Sequence, residues 1–279
     1  MSPSDQDGLL ELAFRRDGRG RSALGARRQR FPLRMTVPFY LDPADPEMAF
    51  VYVQNPTGGV FAGDRLATSV AAGEDVRVHL TTQSATKLYR MDGGEAIQDL
   101  RFELEPGAYV EHVPDPLIPQ AGARFRQRTL VEVAPGASFL ATEAVAPGRR
   151  ARGERFAYEL LELRTEARRA GRALCVDVIR LEPSRSDPLR AGVLGARDYL
   201  VTLLAVAPEH DAEALARRLD DALAAEPGVL GAAGVLPRAA GAFARALAGG
   251  PLDARQALRA AWGAARAELA GLPLPEVRK

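Results

Sequence analysis

The hydrophobic pattern divides the chain in two. From about residue 8 to residue 207 apolar and polar positions mostly alternate at period two, the mark of half-buried strands. "MAFVYV" (48–53) interleaves Phe50 and Tyr52 with Val51 and Val53 and reads as a short buried strand. Leu66, Thr68 and Val70, then Val76, Val78 and Leu80, alternate on either side of "AAGED". Leu100, Phe102 and Leu104 lead into "EPGAYVEHV", and Thr129, Val131 and Val133 lead into "APGASFLATEA". The segments "VAAGEDVRVHL", "LEPGAYVEHVP" and "VAPGASFLATE" resemble one another, and their glycines Gly73, Gly107 and Gly136 lie 34 and 29 residues apart. Recurring strand–turn–strand units at that interval predict stacked β layers in a solenoid-like body; the unequal periods leave an irregular sandwich open. Strands over 156–164 and 174–181 follow, joined as a hairpin across "RRAGRA" with Gly171 at the turn, and "EPSRSDPLRAG" (182–192) reads as polar loop.

After residue 207 the period changes. "HDAEALARRLDDALAAEPG" sets Ala212, Leu215, Leu219, Ala222 and Leu223 on one helical face, with Asp211 and Glu213 at its start and Pro227-Gly228 at its stop. "LDARQALRAAWGAARAELAG" predicts a second helix, N-capped by Asp253 with Gln256 completing a capping box, buried along Leu258, Trp262, Ala265 and Leu269, and ended by Gly271. "GVLPRAAGAFARAL" between them reads as one or two strands, with helix as the alternative. The fold class is therefore mainly β (α+β): a β-rich body over 1–207 and an α+β lobe with two helices over 208–279, packed on it. The Ala- and Leu-rich lobe is also the candidate for an apolar docking surface.

Charge and composition remove several function classes. With 37 basic and 36 acidic residues the net charge is +1, so neither nucleic acid nor an anionic membrane is indicated as a partner. The longest nearly apolar run, 199–207, is too short to span a bilayer, and no signal-peptide pattern is present. A single cysteine, Cys175, excludes an internal disulfide, fits a cytoplasmic location, and reads as a buried structural thiol. His79, His112 and His210 are far apart in sequence and show no ligand spacing.

The stretch with most chemistry in it is "NPTGGVFAGDRL" (55–66). Gly58 and Gly63 have phosphate-loop spacing, but Asp64-Arg65 follows where Lys-Ser/Thr is needed, so nucleotide binding is excluded. Gly58, Gly59 and Gly63 then mark positive φ or close chain approach. Asp64 is either a turn residue or a carboxylate with work to do. "TTQSATKLYR" (81–90) reads alone as a strand end and its loop, "VPDPLIPQAGARFRQRT" (113–129) as a rigid extended loop, and "GRRARGE" (148–154) as a solvated turn. A β-rich hydrolase using two of Asp64, Asp115 and Glu143 is one functional reading, and a stand-alone β-solenoid binding module another.

Taken in order, "PFY" (38–40), "NPTGGVFAGDRL", "TTQSATKLYR", "PDPLIPQAGARFRQ", "GRRARGE" and the helix with Trp262 and Arg266 resemble the urease accessory protein UreD family, called UreH in some organisms. Its motif falls on Gly58, Gly59, Gly63, Asp64, Lys87, Tyr89, Arg90, Gly148, Arg149 and Glu154. Ala62, Gln120 and the tail "PLPEVRK" depart from the pattern, which puts the docking of the extreme C-terminus in question. The resemblance implies a β-helix-like, non-enzymatic scaffold with no tightly bound cofactor. It implies that the chain binds UreF, recruits the GTPase UreG through it, docks on apo-urease and helps insert nickel, with two copies of the chain in the UreD–UreF–UreG complex. It also implies an internal polar path for nickel in transit, for which Asp64, Thr86, Glu143 and Asp177 are the positions carried over. Few His and Cys suit passage, since imidazole and thiolate would hold Ni²⁺ tightly.

Overall fold

The structure, a computed structural model, describes residues 7–277. Seventeen strands and two helices follow in order: β1 (Asp7–Arg16), β2 (Ser22–Arg30), β3 (Arg34–Met35), β4 (Ala49–Gln54), β5 (Arg65–Ala72), β6 (Arg77–Thr82), β7 (Thr86–Leu88), β8 (Ala96–Leu104), β9 (Tyr109–His112), β10 (Leu117–Pro119), β11 (Arg124–Val133), β12 (Ser138–Val145), β13 (Leu160–Arg169), β14 (Arg172–Leu181), β15 (Tyr199–Val206), α1 (Ala212–Ala224), β16 (Val229–Val235), β17 (Gly241–Ala248) and α2 (Pro251–Ala270). They form a seven-stranded sheet, β14-β13-β11-β8-β5-β1-β2, facing a ten-stranded one whose main order is β16-β17-β15-β12-β9-β6-β4-β3. The chain passes between the sheets at each turn. β5, β8, β11 and β13 pair in parallel in the first sheet, and β4, β6, β9 and β12 in parallel in the second. This is the solenoid-like stacking expected from the repeating segments, about four turns high.

The related turns lie on one another. Gly107 and Gly136 have φ of 72° and 75°, which favours glycine at both; a Cβ on Gly136 would sit 3.4 Å from the backbone of Gly107, and one on Gly107 would run into the Asp75 carboxylate. Between the sheets Leu66, Val70, Phe102, Phe125, Val131, Phe139, Leu161 and Leu204 form the main core. β15, β17 and β16 continue the ten-stranded sheet beyond β12, each antiparallel to its neighbour, and α1 and α2 cover its outer face. The alanines of β17 and α2 (Ala242, Ala244, Ala246, Ala257, Ala261, Ala265) belong to this second core and set a close helix–sheet contact, while Leu230, Val235 and Leu252 of the lobe stay exposed. Among the described residues no helix is long and apolar enough to cross a membrane.

Several local expectations change. α2 starts at Pro251 with Gly250 as N-cap, so Asp253 lies in the first turn and forms no capping box. Proline at N1 loses nothing by lacking an N–H there, which moves the start upstream of the Asp-Gln signal. α1 is capped by Asp211, whose carboxylate accepts from the amides of Glu213 and Ala214. The strand expected over 156–164 runs instead from Leu160 to Arg169, because Phe156 adopts φ 52° and turns the chain. The hairpin after it has Ala170 and Gly171 at φ 49° and 73°, the two-residue turn that matches strand twist. The proline-rich segment 113–129 is not all loop: β10 pairs in parallel with β7.

Candidate functional site

The strand registers assemble a polar seam inside the apolar sandwich. Across the first sheet, Thr68, Leu100, Thr129, Thr165 and Asp177 are successive Cα partners, one per strand from β5 to β14. One pleat earlier, Leu66, Gln98 and Gln127 form the neighbouring row. Partners in register share a face, and this face is the inner one, since Val70, Phe102 and Val131 follow two residues on in the core. The second sheet answers with Glu143, Thr202 and Arg245, also successive partners on β12, β15 and β17.

The two rows meet. Gln127 Nε2 donates to Glu143 Oε1 at 2.7 Å, and Arg245 Nη2 donates to both oxygens of Asp177 at 2.9 and 2.8 Å. Burial, with the Asp177 charge adding to it, pushes the Glu143 carboxyl up to about 7, against the opposing pull of Arg245 and Gln127. The hydroxyls of Thr129 and Thr202 and Arg245 Nε are buried with no partner among the described residues. Buried polar atoms are normally satisfied, so these unpartnered atoms set the seam apart from the apolar core around it. Among the described residues no three His, Cys, Asp or Glu side chains gather to hold a metal; the seam offers its oxygens one after another.

At the far end of the rows the chain leaves a partly open pocket of about 140 Å³ lined by Gly59, Leu66, Thr82, Thr86 and Gln98. Thr86 pairs with Leu117, which pairs with Val145, two residues from Glu143 on the same face. Asp64 lies in the loop that walls this pocket and is half-buried; its Oδ2 accepts from Phe61 N at 2.9 Å, and burial raises its carboxyl. The structure thus brings Glu143 and Asp177 together, sets Thr86 at the pocket, and gives Asp64 a turn hydrogen bond. The glycines before Asp64 have separate tasks. Gly58 and Gly63 have φ of 84° and 83°, whereas a side chain on Gly59 would enter the ring of Tyr89 and the carbonyl of Lys87. Tyr89 in turn stacks on Phe61 at 4.7 Å.

A model of the family described as UreD urease accessory protein matches residues 6–279. The chain belongs to the UreD family. It is 42% identical to the urease accessory protein UreD 2 of Streptomyces griseus over 98% of this chain and 93% of that protein. It is 41% identical to UreD of Mycolicibacterium gilvum over 96% and 97%, and 36% identical to UreD of Haloarcula marismortui over 98% and 91%.

The remaining UreD motif residues brace loops. Arg149 pairs with Glu154, whose carboxyl it holds below the usual range, and Glu154 also accepts from Ala121 N at 3.3 Å. A Cβ on Gly148 would approach the carbonyls of Glu154 and Pro119, so "GRRARGE" is not a solvated turn but ties to the proline-rich segment. Lys87 and Arg90 are exposed; the Lys87 carbonyl accepts from Val60 N, and Arg90 pairs with Asp92 at 2.7 Å.

Sequence reasoning missed a second buried polar cluster, under α2. Glu111 accepts from Tyr109 Oη and Arg266 Nη1, each at 2.7 Å, contacts His79 Nδ1 at 2.7 Å, and accepts from Trp262 Nε1 at 3.3 Å. Arg266 also pairs with Asp42 and donates to the Pro273 carbonyl at 2.9 Å, which anchors the divergent tail. Burial works to raise the Glu111 carboxyl, but His79, Arg266 and Tyr109 outweigh it and hold it below the usual range. His79 stacks on Phe50 and Trp262. Trp262 and Arg266, four apart on one helix, were the only sequence signal, because the acids come from loops and strands more than 150 residues away. His112, on the inner face against Phe102, is pushed down to about 4 by burial, with the His79 charge adding to it. Cys175 is buried, and its thiol is pushed up to about 11, chiefly by burial.

Proposed function

We propose that this chain is a non-catalytic scaffold for nickel insertion into apo-urease, and that the polar seam is the path the ion takes. In this reading the chain binds UreF, reaches UreG through it, and docks on urease. The observation that carries the path is the register-built row of Gln98, Gln127, Thr129, Glu143, Thr165, Thr202 and Asp177 between two apolar faces. A conduit needs several weak oxygen sites that an ion can enter and leave, and hard, single oxygens supply that where His and Cys clusters would trap Ni²⁺. Thr86 lines the pocket at that end of the row, and in this reading it forms the entrance together with Asp64, two residues before the pocket's Leu66.

The exposed apolar residues that would dock a partner are Phe31, Val37, Phe39 and Leu41, which cluster in sequence ahead of β4. A hydrolase would need its carboxylate pair turned toward a substrate cavity. Glu143 and Asp177 instead face Gln127 and Arg245. The test is co-expression of urease subunits and the other accessory proteins with and without this chain, with metal analysis of the purified urease and a UreF pull-down. Nickel at background without the chain, and UreF retained by it, are the expected results. Urease equally loaded in its absence would overturn the proposal.

A further inference from the structure

Arg245 sits where the seam meets the open side of the sandwich. Beyond it a groove of about 450 Å³ lies between β14 and β16, walled by Val178, Ile179, Leu194, Leu230 and Leu247. The guanidinium is 5.0 Å from the Phe243 ring and touches Asp177 through Nη2 alone, while Nε is buried and unpartnered among the described residues. A structural arginine–carboxylate pair uses two nitrogens in a fork; a single nitrogen serving both oxygens is a looser bond. The two side chains keep 36% and 26% of their surface accessible, so water can replace either partner.

Arg245 is also the only cation among the inward-facing seam residues named above. Its charge lies in register with Glu143, through Thr202, and bonded to Asp177. Two carboxylates beside one guanidinium leave room for one cation at a time. Resting on the conduit reading, we propose that Arg245 is a specificity-determining gate: its guanidinium occupies the Asp177 position until a divalent cation displaces it. A monovalent ion gains half the attraction of a divalent one at equal distance and loses that exchange. The gate would thus keep sodium and potassium out of a path lined by carboxylates.

The test is equilibrium dialysis of the full-length chain against NiCl₂, for wild type, Arg245→Gln and Arg245→Met, with thermal melts to establish folding. Removing the resident cation should tighten Ni²⁺ binding by about tenfold or more, and 100 mM KCl should weaken binding to the variants more than to wild type. Adding Asp177→Asn to Arg245→Gln should abolish the gain. Equal affinity in folded wild type and variants would overturn the gate. Unfolding of both single variants would also overturn it, since the pair would then be a structural tie. Failure of the conduit reading is separable. It would appear as tighter Ni²⁺ binding by the variants with no change in urease nickel when Glu143 is altered.

Discussion

Gln127 and Glu143 come from opposite sheets and meet at 2.7 Å, amide to carboxylate, within the polar seam between the sheets. The arrangement has a consequence for stability. Folding raises the Glu143 carboxyl from an ordinary 4.5 to about 7. Between those values the native state holds a proton that the unfolded chain has released, so stability falls as pH rises through that window. Glu143→Gln keeps a carbonyl oxygen for Gln127 to donate to and removes the ionisation. The variant should gain about 1–3 kcal/mol over wild type at pH 8 and little at pH 5. Urea denaturation at the two pH values checks this; an equal gain or a loss at both would count against it.

Arg266 is fully buried between two acids, Asp42 and Glu111. Arg266→Met should cost about 3–5 kcal/mol, because it strands two buried carboxylates. It should also release the tail at Pro273 and expose Trp262. Guanidinium titration and Trp fluorescence measure both, and a variant within 1 kcal/mol of wild type (roughly, on that scale) would show that the cluster does not hold α2.

Two glycines four residues apart in one motif should respond differently. Gly59→Ala drives a methyl into Tyr89 and the Lys87 carbonyl, so it should cost about 2 kcal/mol or more and break the Phe61–Tyr89 stack. Gly63→Asn meets open space and keeps a residue tolerant of positive φ, so it should cost about 1 kcal/mol or less. Paired melting curves read the order; the reverse order would refute the assignment.

Asp64→Asn retains the acceptor for Phe61 N and should shift stability by less than about 0.5 kcal/mol. If the residue serves the path as a charge, the same variant should still capture UreF and yet deliver less nickel. Full delivery would reduce Asp64 to its turn.

Much of the layering was legible in the sequence because it is written locally. Period-two alternation gave β5, β6, β8 and β11, and the glycine-centred repeats implied their stacking. Asp211 and Gly271 marked helix ends, since caps act on adjacent amides. The start of α2 was misplaced because Gly250-Pro251 and Asp253 are competing local signals and packing decided between them. The seam was legible only as separate acids. Thr129, Thr165 and Asp177 become one row through strand register, which depends on turns far from each of them. The Glu111 cluster was hidden for the same reason, as Asp42 and Arg266 lie 224 residues apart.

The central claim, that the seam carries nickel, is tested most directly by counting nickel in urease matured with a Glu143→Gln/Asp177→Asn variant of this chain. At an effective dielectric near 20, each carboxylate at 4 Å from an ion contributes roughly 4 kcal/mol per unit of its charge before desolvation. Losing both should leave a seam that an ion enters rarely. The account predicts a chain that folds, captures UreF and urease as wild type does, and yields urease with nickel well below half the wild-type content. Urease fully loaded by that variant would contradict it.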